Sequence, residues 1–516
     1  MKRFFHRVFK AIEKFILNRR TQVIFLLLIQ LASMGLVIWL LSGYSVIYSL
    51  ILSLISLFVV VYIVNTRVKP GYKLSWMALI LTFPIFGGLF YLILKLQSSS
   101  GAMKRNREYY QSLSGKYLSQ DEGVLNRFRS EFPAYHNQIN YMTKTAGYPV
   151  YRNTVTEFLT PGEEFFPRFI AELEKARKFI FLEFFILADG YMWETTLEIL
   201  KRKAAEGVDV RLMYDDIGSM FNLPDGFDKT LEPYGVKCMA FNRFRPLWSS
   251  VQNNRDHRKI MVIDGEVAFT GGVNLADEYI NRKSRFGHWK DCAVMLKGDA
   301  VWSFTVTYLQ MWDRVHGITE NFLPYKNEAR IIGDGKEYVL PYADAPDDIE
   351  NVSEHAYMQM ITQAKRYRYI ETPYLIIDDS MMSALILAAK SGVDIRIITP
   401  AIPDKKLVFM TTRSYYLPLL KAGVRIYEYT PGFIHSKVVV SDDECVAIGT
   451  PNFDFRALYL HFECGTLIYG GQTVEKAKKD FLDMLPICRE MTVADMERHL
   501  PVRIFQSFLR LFAPFL

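Results

Sequence analysis

Two stretches of the chain carry a histidine and a lysine at the same spacing. The first, DHRKIMVIDGEVAFTGGVNLAD, covers residues 256–277, and the second, FIHSKVVVSDDECVAIGTPNFD, covers residues 433–454. In both, the lysine follows the histidine by two residues, and mostly apolar residues follow the lysine. Alternate side chains of a strand share a face, so each lysine is predicted to lie beside its histidine. The pairs are His257 with Lys259 and His435 with Lys437.

Each stretch continues with an aspartate five residues after its lysine, Asp264 in the first and Asp442 in the second. Both complete the H-x-K-x4-D pattern and therefore belong to the candidate catalytic set. They end the predicted strands, however, and we expect them to bind backbone or lysine and to fix the fold rather than to react.

The residues after each aspartate are suited to holding a phosphate. Glycine permits close backbone approach, and amide or hydroxyl groups can donate hydrogen bonds. Together with the lysine charges, they suit a tetrahedral oxyanion, above all a phosphate. The candidate supporting residues are Gly272, Asn274, Thr450 and Asn452.

Two imidazoles around one phosphate permit a displacement in two steps. One attacks phosphorus while the other protonates the leaving oxygen. A nearby carboxylate should hold each imidazole in the required tautomer. Asp291 and Glu463 lie at comparable positions downstream of the two motifs and are the candidates for this role.

A single H-x-K on a strand is more often a solvated pair than a reactive one, and it is the repetition that favours catalysis here. The remaining histidines lack this context and are predicted to be surface or core residues. They are His6, His136, His288, His316, His355, His461 and His499.

The elements that must position these residues form an internal repeat. Short apolar runs alternate with helix-like stretches, which indicates an α/β domain. KFIFLEFFILADG resembles RYIETPYLIIDD, and AAEGVDVRLMYDD resembles AAKSGVDIRIITP, in the same order before each histidine motif. We therefore predict a duplicated α/β fold with one motif in each half, covering residues 141–325 and 326–498.

The N-terminal part, residues 21–96, is predicted to be a membrane domain. No charged residue occurs from Thr21 to Thr66, which is typical of bilayer spans of about 20 residues. The candidate hydrophobic segments are 23–41, 45–64 and 74–96. Pro84, Gly87 and Gly88 interrupt the third segment, which could turn back on itself or cross as a kinked span.

Basic and large apolar residues are interleaved at both ends of the chain. Residues 1–20 are predicted to form an interfacial helix. Residues 499–516 are also amphipathic and could bind lipid or the protein's own membrane helices. Residues 97–140 are predicted to link the membrane domain to the first half.

Charge and cysteine content exclude some classes of protein. The formal net charge of +7 is compatible with an anionic membrane or a polyanionic substrate. The five cysteines show no C-x-x-C spacing, which argues against a structural zinc site or a disulfide framework and favours a reducing compartment. The sequence also shows no carboxylate cluster for Mg²⁺ and no P-loop.

The duplicated H-x-K-x4-D motif, followed after six residues by G-[GST]-x-N, resembles the phospholipase D superfamily. The surrounding sequence, including LEFFILADG and KLSWMALILTFPIFGGLFYLILK, is similar to that of bacterial cardiolipin synthases from about residue 45 to the C-terminus. Asp256 is one departure, since an asparagine is expected before the motif histidine.

This resemblance implies transfer of a phosphatidyl group from one phosphatidylglycerol to another, with release of glycerol. It implies a phosphatidyl-histidine intermediate with His257 as the nucleophile and His435 as the general acid and base. No metal, cofactor or nucleic acid is expected, and the partners are phosphatidylglycerol and cardiolipin in a cell membrane that the chain crosses several times. The catalytic part is expected to face the cytoplasm.

Four alternatives remain at this point. One is a synthase that uses phosphatidylethanolamine as donor, because the choice of headgroup lies in loops that the sequence does not place. A membrane-bound phospholipase D, or another phosphodiesterase or nuclease, could use the same motif pair. A nuclease should show a longer basic groove, whereas much of the charge here flanks the hydrophobic runs. A non-catalytic scaffold would be marked by loss of a motif histidine or lysine, and all four are present.

Overall fold

The structure is a computed structural model. The predicted interfacial helix 1–20 lies outside the residues it describes, as does most of the predicted span 23–41. Single positions 28, 32, 35, 36, 39 and 109 are also described. The continuous described ranges are 46–66, 68–84, 87–98, 115–244, 250–327, 336–348, 350–497 and 500–515.

The hydrophobic N-terminal part is helical, with helices Val46–Val64, Pro70–Thr82 and Gly87–Ser98. Among the described residues, no helix combines the length and the apolar character needed to cross a bilayer. The third hydrophobic run is broken into two helices, and the rings of Trp76 and Tyr91, on opposite sides of the break, lie 5.1 Å apart. The run thus folds back on itself, as in the turned-back alternative.

The strands of the first half are β1 (Thr154–Leu159), β2 (Phe179–Phe184), β3 (Asp209–Asp215), β4 (Lys237–Phe241), β5 (Ile260–Ile263), β6 (Val267–Gly271), β7 (His288–Lys290) and β8 (Ala293–Gly298). All of them except β7 form a seven-stranded sheet in the order β1-β8-β6-β5-β2-β3-β4. β2, β3 and β4 are parallel, and the remaining pairs are antiparallel.

The strands of the second half are β9 (Tyr338–Asp344), β10 (Tyr367–Glu371), β11 (Leu375–Ile376), β12 (Asp394–Pro400), β13 (Arg425–Tyr429), β14 (Gly432–Ile434), β15 (Val438–Ser441), β16 (Cys445–Gly449), β17 (Phe453–Asp454), β18 (Glu463–Tyr469) and β19 (Cys488–Met491). Eight of them form a sheet that repeats the order of the first, β9-β18-β16-β15-β10-β12-β13-β19. Its first seven strands correspond one by one to those of the first sheet, and β19 is added at the edge, so the predicted duplication of the α/β fold is confirmed.

Helices cover the sheets and connect their parallel strands. In the first half they are Gly162–Leu173, Tyr191–Ala205, Asp216–Ser219, Phe227–Leu231 and Val301–His316. In the second half they are Val352–Gln363, Asp379–Lys390, Lys406–Ser414, Tyr416–Lys421, Phe455–Tyr459, Gly471–Met484, Val493–Met496 and Leu500–Leu511.

The two halves share one hydrophobic core. It contains Phe181 and Val262 from the first sheet together with Val440 and Val446 from the second. Two further cores lie mainly in one half each. Because burial of apolar surface is the main favourable term in folding, the shared core fixes the two sheets against each other.

Part of the segment predicted as a linker is folded. Helix Glu122–Glu131 begins at Asp121, whose side chain accepts hydrogen bonds from Gly123 N and Val124 N. Leu125 and Phe128 of this helix are buried in the core of the second half. Residues 122–140 therefore belong to the catalytic region, because their apolar side chains pack into it instead of remaining solvated as a linker requires.

Candidate functional site

The two histidine motifs lie side by side where the halves meet. β7 of the first half pairs in parallel with β14 of the second, directly before His435. A single bridge between Asp256 and Phe462 makes the corresponding contact directly before His257. The duplication thus brings the two motifs, 178 residues apart in sequence, into one site.

The motif residues precede the regular strands, and our prediction that they lie within them is wrong. β5 begins at Ile260 and β15 at Val438, just after the motif lysines. The reason lies in the backbone bonding. His257 N donates to Phe462 O at 3.0 Å, and His435 N donates to Lys290 O at 2.7 Å, so both histidines bond to the other half.

The two predicted carboxylates also reach across to the opposite half. Nδ1 of His257, in the first half, lies 2.9 Å from Oε1 and 3.0 Å from Oε2 of Glu463, in the second. Nδ1 of His435 lies 2.7 Å from Oδ2 of Asp291 in the first half. In both pairs Nδ1 faces a carboxylate, which leaves Nε2 for chemistry. The sequence identified both carboxylates but did not predict this exchange.

The motif lysines are buried in the same site. Lys259 Nζ donates to the backbone oxygen of His257 at 2.5 Å, and Lys437 Nζ donates to that of His435. Burial lowers the pKa of Lys259 to about 8 and that of Lys437 to about 7. Nearby carboxylates partly oppose this effect in both cases. The two cations are thus held in a low-dielectric pocket, where each acts strongly on an anion.

Both motif histidines are neutral in this environment. Burial, reinforced by the neighbouring Lys437, lowers the pKa of His435 to about 4. Burial and Lys259 lower the pKa of His257 well below its usual value. A neutral imidazole has a free lone pair, which a nucleophile or general base requires.

The pKa values of the two carboxyl groups are shifted in opposite directions. Burial raises the pKa of Glu463 well above its usual value. Burial acts on Asp291 in the same direction, but His435, Lys437 and the Cys292 N–H outweigh it and lower the pKa of Asp291. The carboxyl group of the His257 pair is therefore harder to ionise than that of the His435 pair.

The motif aspartates bind backbone, as expected from the sequence. Asp264 accepts hydrogen bonds from three successive N–H groups, those of residues 177, 178 and 179, at 2.7–2.8 Å. Asp442 does the same for residues 365, 366 and 367 at 2.7–2.9 Å. Both fix the loop that enters the neighbouring strand, and neither touches a motif histidine in these contacts.

The predicted glycine and threonine lie against the two carboxylates. A Cβ at Gly272 would lie 2.0 Å from Oδ1 of Asp291, so glycine is required there. At the corresponding position, Thr450 Oγ1 donates to Oε2 of Glu463. These residues therefore act through the carboxylates that hold the histidines.

The two asparagines make different contacts. Asn274 accepts from Ile186 N at 2.9 Å and donates to the Tyr279 hydroxyl at 2.6 Å, which leaves one amide N–H for a ligand. Asn452 donates to Asp454 Oδ2 at 3.0 Å. The carboxamide oxygen of Asn452 is buried and has no hydrogen-bond partner among the described residues.

Sequence reasoning missed one side chain of the site. His461 was predicted to be an ordinary surface or core residue, but its ring lies 5.7 Å from that of His257. Its Nδ1 is 3.9 Å from Oε1 of Glu463. The available signal was its spacing, because His461 precedes Glu463 by two residues and so shares its face of the extended chain.

Asp256, the departure noted in the sequence, faces away from the imidazole chemistry. Its Oδ1 accepts from Arg258 Nε at 3.2 Å, and Arg258 also pairs with Glu183 at 2.6 Å. The groups that lower the pKa of His257 are burial and neighbouring cationic or imidazole side chains. Asp256 thus serves the buried ion pairs on the other face of the motif segment.

Comparison with known families gives two matches along the chain. A family described as "Cardiolipin synthase, PLD-like domain" matches residues 169–287 and 357–485, one match in each half. A family described as "Phospholipase_D-nuclease N-terminal" matches residues 51–95.

Individual relatives match over most of the chain. A cardiolipin synthase of Geobacillus kaustophilus is 36% identical over 485 residues, covering 91% of this chain and 94% of that protein. An uncharacterized protein of Streptococcus mutans is 42% identical and covers 89% of this chain and 99% of its own. The crystal structure of phosphatidylserine synthase from Haemophilus influenzae aligns with a TM-score of 0.53 at 17% identity, covering 70% of this chain and 93% of that chain, which shows a shared fold.

Proposed function

The chain belongs to the phospholipase D-like cardiolipin synthase family, and from that premise we propose that it transfers a phosphatidyl group between two phosphatidylglycerol molecules. The products are cardiolipin and glycerol. The observation that carries this proposal is the pair of crossed histidine–carboxylate contacts, which bring two imidazoles together where the halves meet.

In the first step, His257 attacks the phosphorus of one phosphatidylglycerol. A bond forms between His257 Nε2 and phosphorus, and the bond from phosphorus to the glycerol oxygen breaks. His435 gives its proton to that oxygen. An anionic phosphodiester next to His435 raises its low pKa, so the imidazole gains this proton as the substrate binds.

In the second step, the terminal hydroxyl of another phosphatidylglycerol replaces the histidine. His435 accepts the hydroxyl proton while the oxygen attacks phosphorus. The phosphorus–nitrogen bond breaks and His257 returns to its neutral form. Atoms and charge balance over the two steps, since one glycerol leaves for each cardiolipin formed.

The buried lysines supply the electrostatic part of this mechanism. The phosphoryl oxygens gain charge as each bond forms, and Lys259 and Lys437 lie where burial strengthens their attraction for that charge. This arrangement performs the role that a divalent ion has in many phosphoryl transferases. We therefore propose that catalysis needs no metal ion, and exhaustive EDTA treatment in Mg²⁺-free vesicles should leave most of the activity.

The activity itself is tested with purified protein in vesicles of phosphatidylglycerol alone. Lipids and released small molecules are identified by mass spectrometry. Cardiolipin and glycerol should appear in equal amounts. If phosphatidic acid dominates, water is the acceptor and the enzyme is a phospholipase instead of a synthase.

We further propose that residues 21–96 attach the enzyme to the cell membrane, with several membrane-inserted segments. Large apolar side chains on helix Val46–Val64, such as Leu50 and Phe58, are exposed in the folded chain. Helices Pro70–Thr82 and Gly87–Ser98 have 13 and 12 residues, about 20 Å each, which suits a hairpin that enters a hydrocarbon layer of about 30 Å.

The C-terminal helix Leu500–Leu511 is proposed to lie at the same lipid surface. One side of it packs on the hairpin, where Ser75 Oγ donates to Leu511 O at 2.6 Å. Ile504, Phe505 and Phe508 on its other side are exposed. The sequence left open whether this segment contacts lipid or the protein's own helices, and one helix can contact both.

The catalytic part is proposed to face the cytoplasm. All five cysteines are free, in keeping with a reducing compartment. Cys464 is fully buried and unsuited to labelling, so a cysteine should be introduced at the exposed Lys175. An impermeant thiol reagent should label Lys175→Cys only after the cells are opened, and labelling of intact cells would place the domain outside.

A further inference from the structure

The proposed mechanism leaves His461 unused. It is almost fully buried, with 11% of its side chain exposed. Its Nε2 is buried and has no hydrogen-bond partner in the described part of the chain. A buried polar atom without a partner is costly. The other ring nitrogen, Nδ1, faces Glu463 and is the atom that can bind a ligand shared with that residue.

His461 forms a compact group with the His257 pair. One ligand atom from each of His257, His461 and Glu463 can be chosen so that all three lie within 4.8 Å of one another. His257 Nδ1 and Glu463 Oε1 are 2.9 Å apart, and His461 Nδ1 is 3.9 Å from the same oxygen. Two imidazoles and one carboxylate are a ligand set that Zn²⁺ uses in proteins.

We propose that His257, His461 and Glu463 form a binding site for a transition-metal ion, best suited to Zn²⁺, and that its occupancy inhibits the enzyme. Zinc–nitrogen and zinc–oxygen distances are about 2.0–2.2 Å, so ligand atoms on a tetrahedral ion lie roughly 3.3 Å apart. The observed spacings of 2.9 and 3.9 Å lie on either side of that value and need only small rotations.

The other half-site cannot bind metal in this way. Trp289 occupies the position that corresponds to His461, two residues before Asp291, and its ring lies 5.3 Å from that of His435. An indole offers no metal ligand. Of the two half-sites, the ion is therefore expected only at that of His257.

Inhibition follows from the atoms that the ion occupies and rests on the proposed function. The ion takes the place of the proton between His257 and Glu463 and draws electron density from the imidazole, so Nε2 becomes a weaker nucleophile. The positive charge of Lys259, a neighbour of both Glu463 and His257, opposes a cation. We therefore expect binding weaker than in structural zinc sites, and inhibition that EDTA reverses.

The experiment measures binding and activity separately in the full-length protein. EDTA-treated protein in detergent is titrated with Zn²⁺ by calorimetry, and cardiolipin formation is followed in phosphatidylglycerol vesicles over the same zinc range. His461→Gln removes the ligand that the mechanism does not use. His355→Gln is the matched control, because His355 also lies beside a carboxylate, 3.3 Å from Glu350, at the surface.

The wild type and His355→Gln should each bind one Zn²⁺ and should be inhibited over the same range of zinc concentrations. His461→Gln should bind at least tenfold more weakly and keep its own zinc-free rate at zinc concentrations that inhibit the wild type. His461→Asn tests the same loss with a smaller side chain, if the glutamine disturbs folding. Equal inhibition of His461→Gln and the wild type, or no zinc binding by the wild type, would overturn the proposal. The calorimetric result stands even if the lipid activity proves to be different.

Discussion

The two half-sites share their strand order and motif but surround their histidines differently. His257 faces a glutamate that also accepts a hydrogen bond from Thr450, with a second imidazole, His461, beside it. His435 faces an aspartate held against a glycine, with aromatic rings on its other sides. The pKa of the carboxyl group is raised in the first pair and lowered in the second, so the second is the more readily ionised.

This difference suits the two proposed roles. A general acid and base must gain and lose a proton within each cycle, and an anionic partner stabilises the imidazolium that forms. A nucleophile needs a neutral ring in a fixed orientation, and a carboxyl group with a raised pKa provides orientation while favouring protonation of the ring less. The duplication thus supplies two similar backbone arrangements, and a few neighbouring side chains give each half-site its own chemical role.

The largest expected effect comes from removing either histidine. His257→Ala and His435→Ala should both abolish turnover of phosphatidylglycerol, because each step uses both groups. They should differ with a donor whose leaving group needs no proton, since acid catalysis, about 10²–10⁴ in rate, is then no longer required. His435→Ala should form a lasting phosphatidyl adduct on His257, and His257→Ala should form none. Mass spectrometry that locates an adduct on His435 in the His257→Ala protein would reverse the roles.

A smaller effect is expected from neutralising the carboxylates. Asp291→Asn removes an anion that supports the imidazolium of His435, and we expect the rate to fall by about 10²–10³. Glu463→Gln preserves the shape of a carboxyl group whose raised pKa makes it harder to ionise than Asp291, so a smaller loss of about tenfold is expected. Steady-state rates in phosphatidylglycerol vesicles give the ratio of the losses in the two variants. Equal losses would show that the two half-sites do not differ in charge.

The sequence predicted what repetition and residue type encode, and it missed what depends on the approach of the two halves. His257, His435, Asp291 and Glu463 were all identified because the motif occurs twice with matching spacing. The exchange of carboxylates was not predictable, because it arises when β7 pairs with β14 across the shared core. His461 was missed for the same reason, since its neighbour His257 comes from the other half.

The folded part of the segment predicted as a linker was missed for a related reason. Helix Glu122–Glu131 has a polar composition with few apolar residues, which hides its fold in the sequence. Its Leu125 and Phe128 become informative only when the second half offers them a core. Local patterns therefore identified the elements of the repeat, and tertiary packing decided what else belongs to the folded region.

The lysines give a pH test that separates activity from stability. Lys437 and Lys259, with pKa values of about 7 and 8, lose their charge as pH rises from 7 to 9, so kcat/KM for the anionic substrate should fall about tenfold. Between pH 7 and 10.5 the unfolded chain retains the proton that folded Lys437 has released, so the free energy of unfolding should increase with pH. Kinetics and thermal unfolding in detergent measure the two trends. Lys437→Met should lose activity and flatten the stability curve, and an unchanged curve would contradict burial as the cause.

The smallest expected effect concerns the hydroxyl that only one half-site has. Thr450→Ala removes the hydrogen bond to Glu463 and the one that Thr450 Oγ1 accepts from Cys464 N at 3.0 Å. The contact with Glu463 is worth about 1 kcal/mol, so the rate should fall about fivefold while His257 remains the nucleophile. Thr450→Ser keeps the hydroxyl and should retain nearly full activity. Both are assayed as phosphatidylglycerol turnover, with thermal unfolding as the check on folding. A loss as large as that of Asp291→Asn, in a protein whose thermal unfolding is unchanged, would mean that Thr450 touches the substrate.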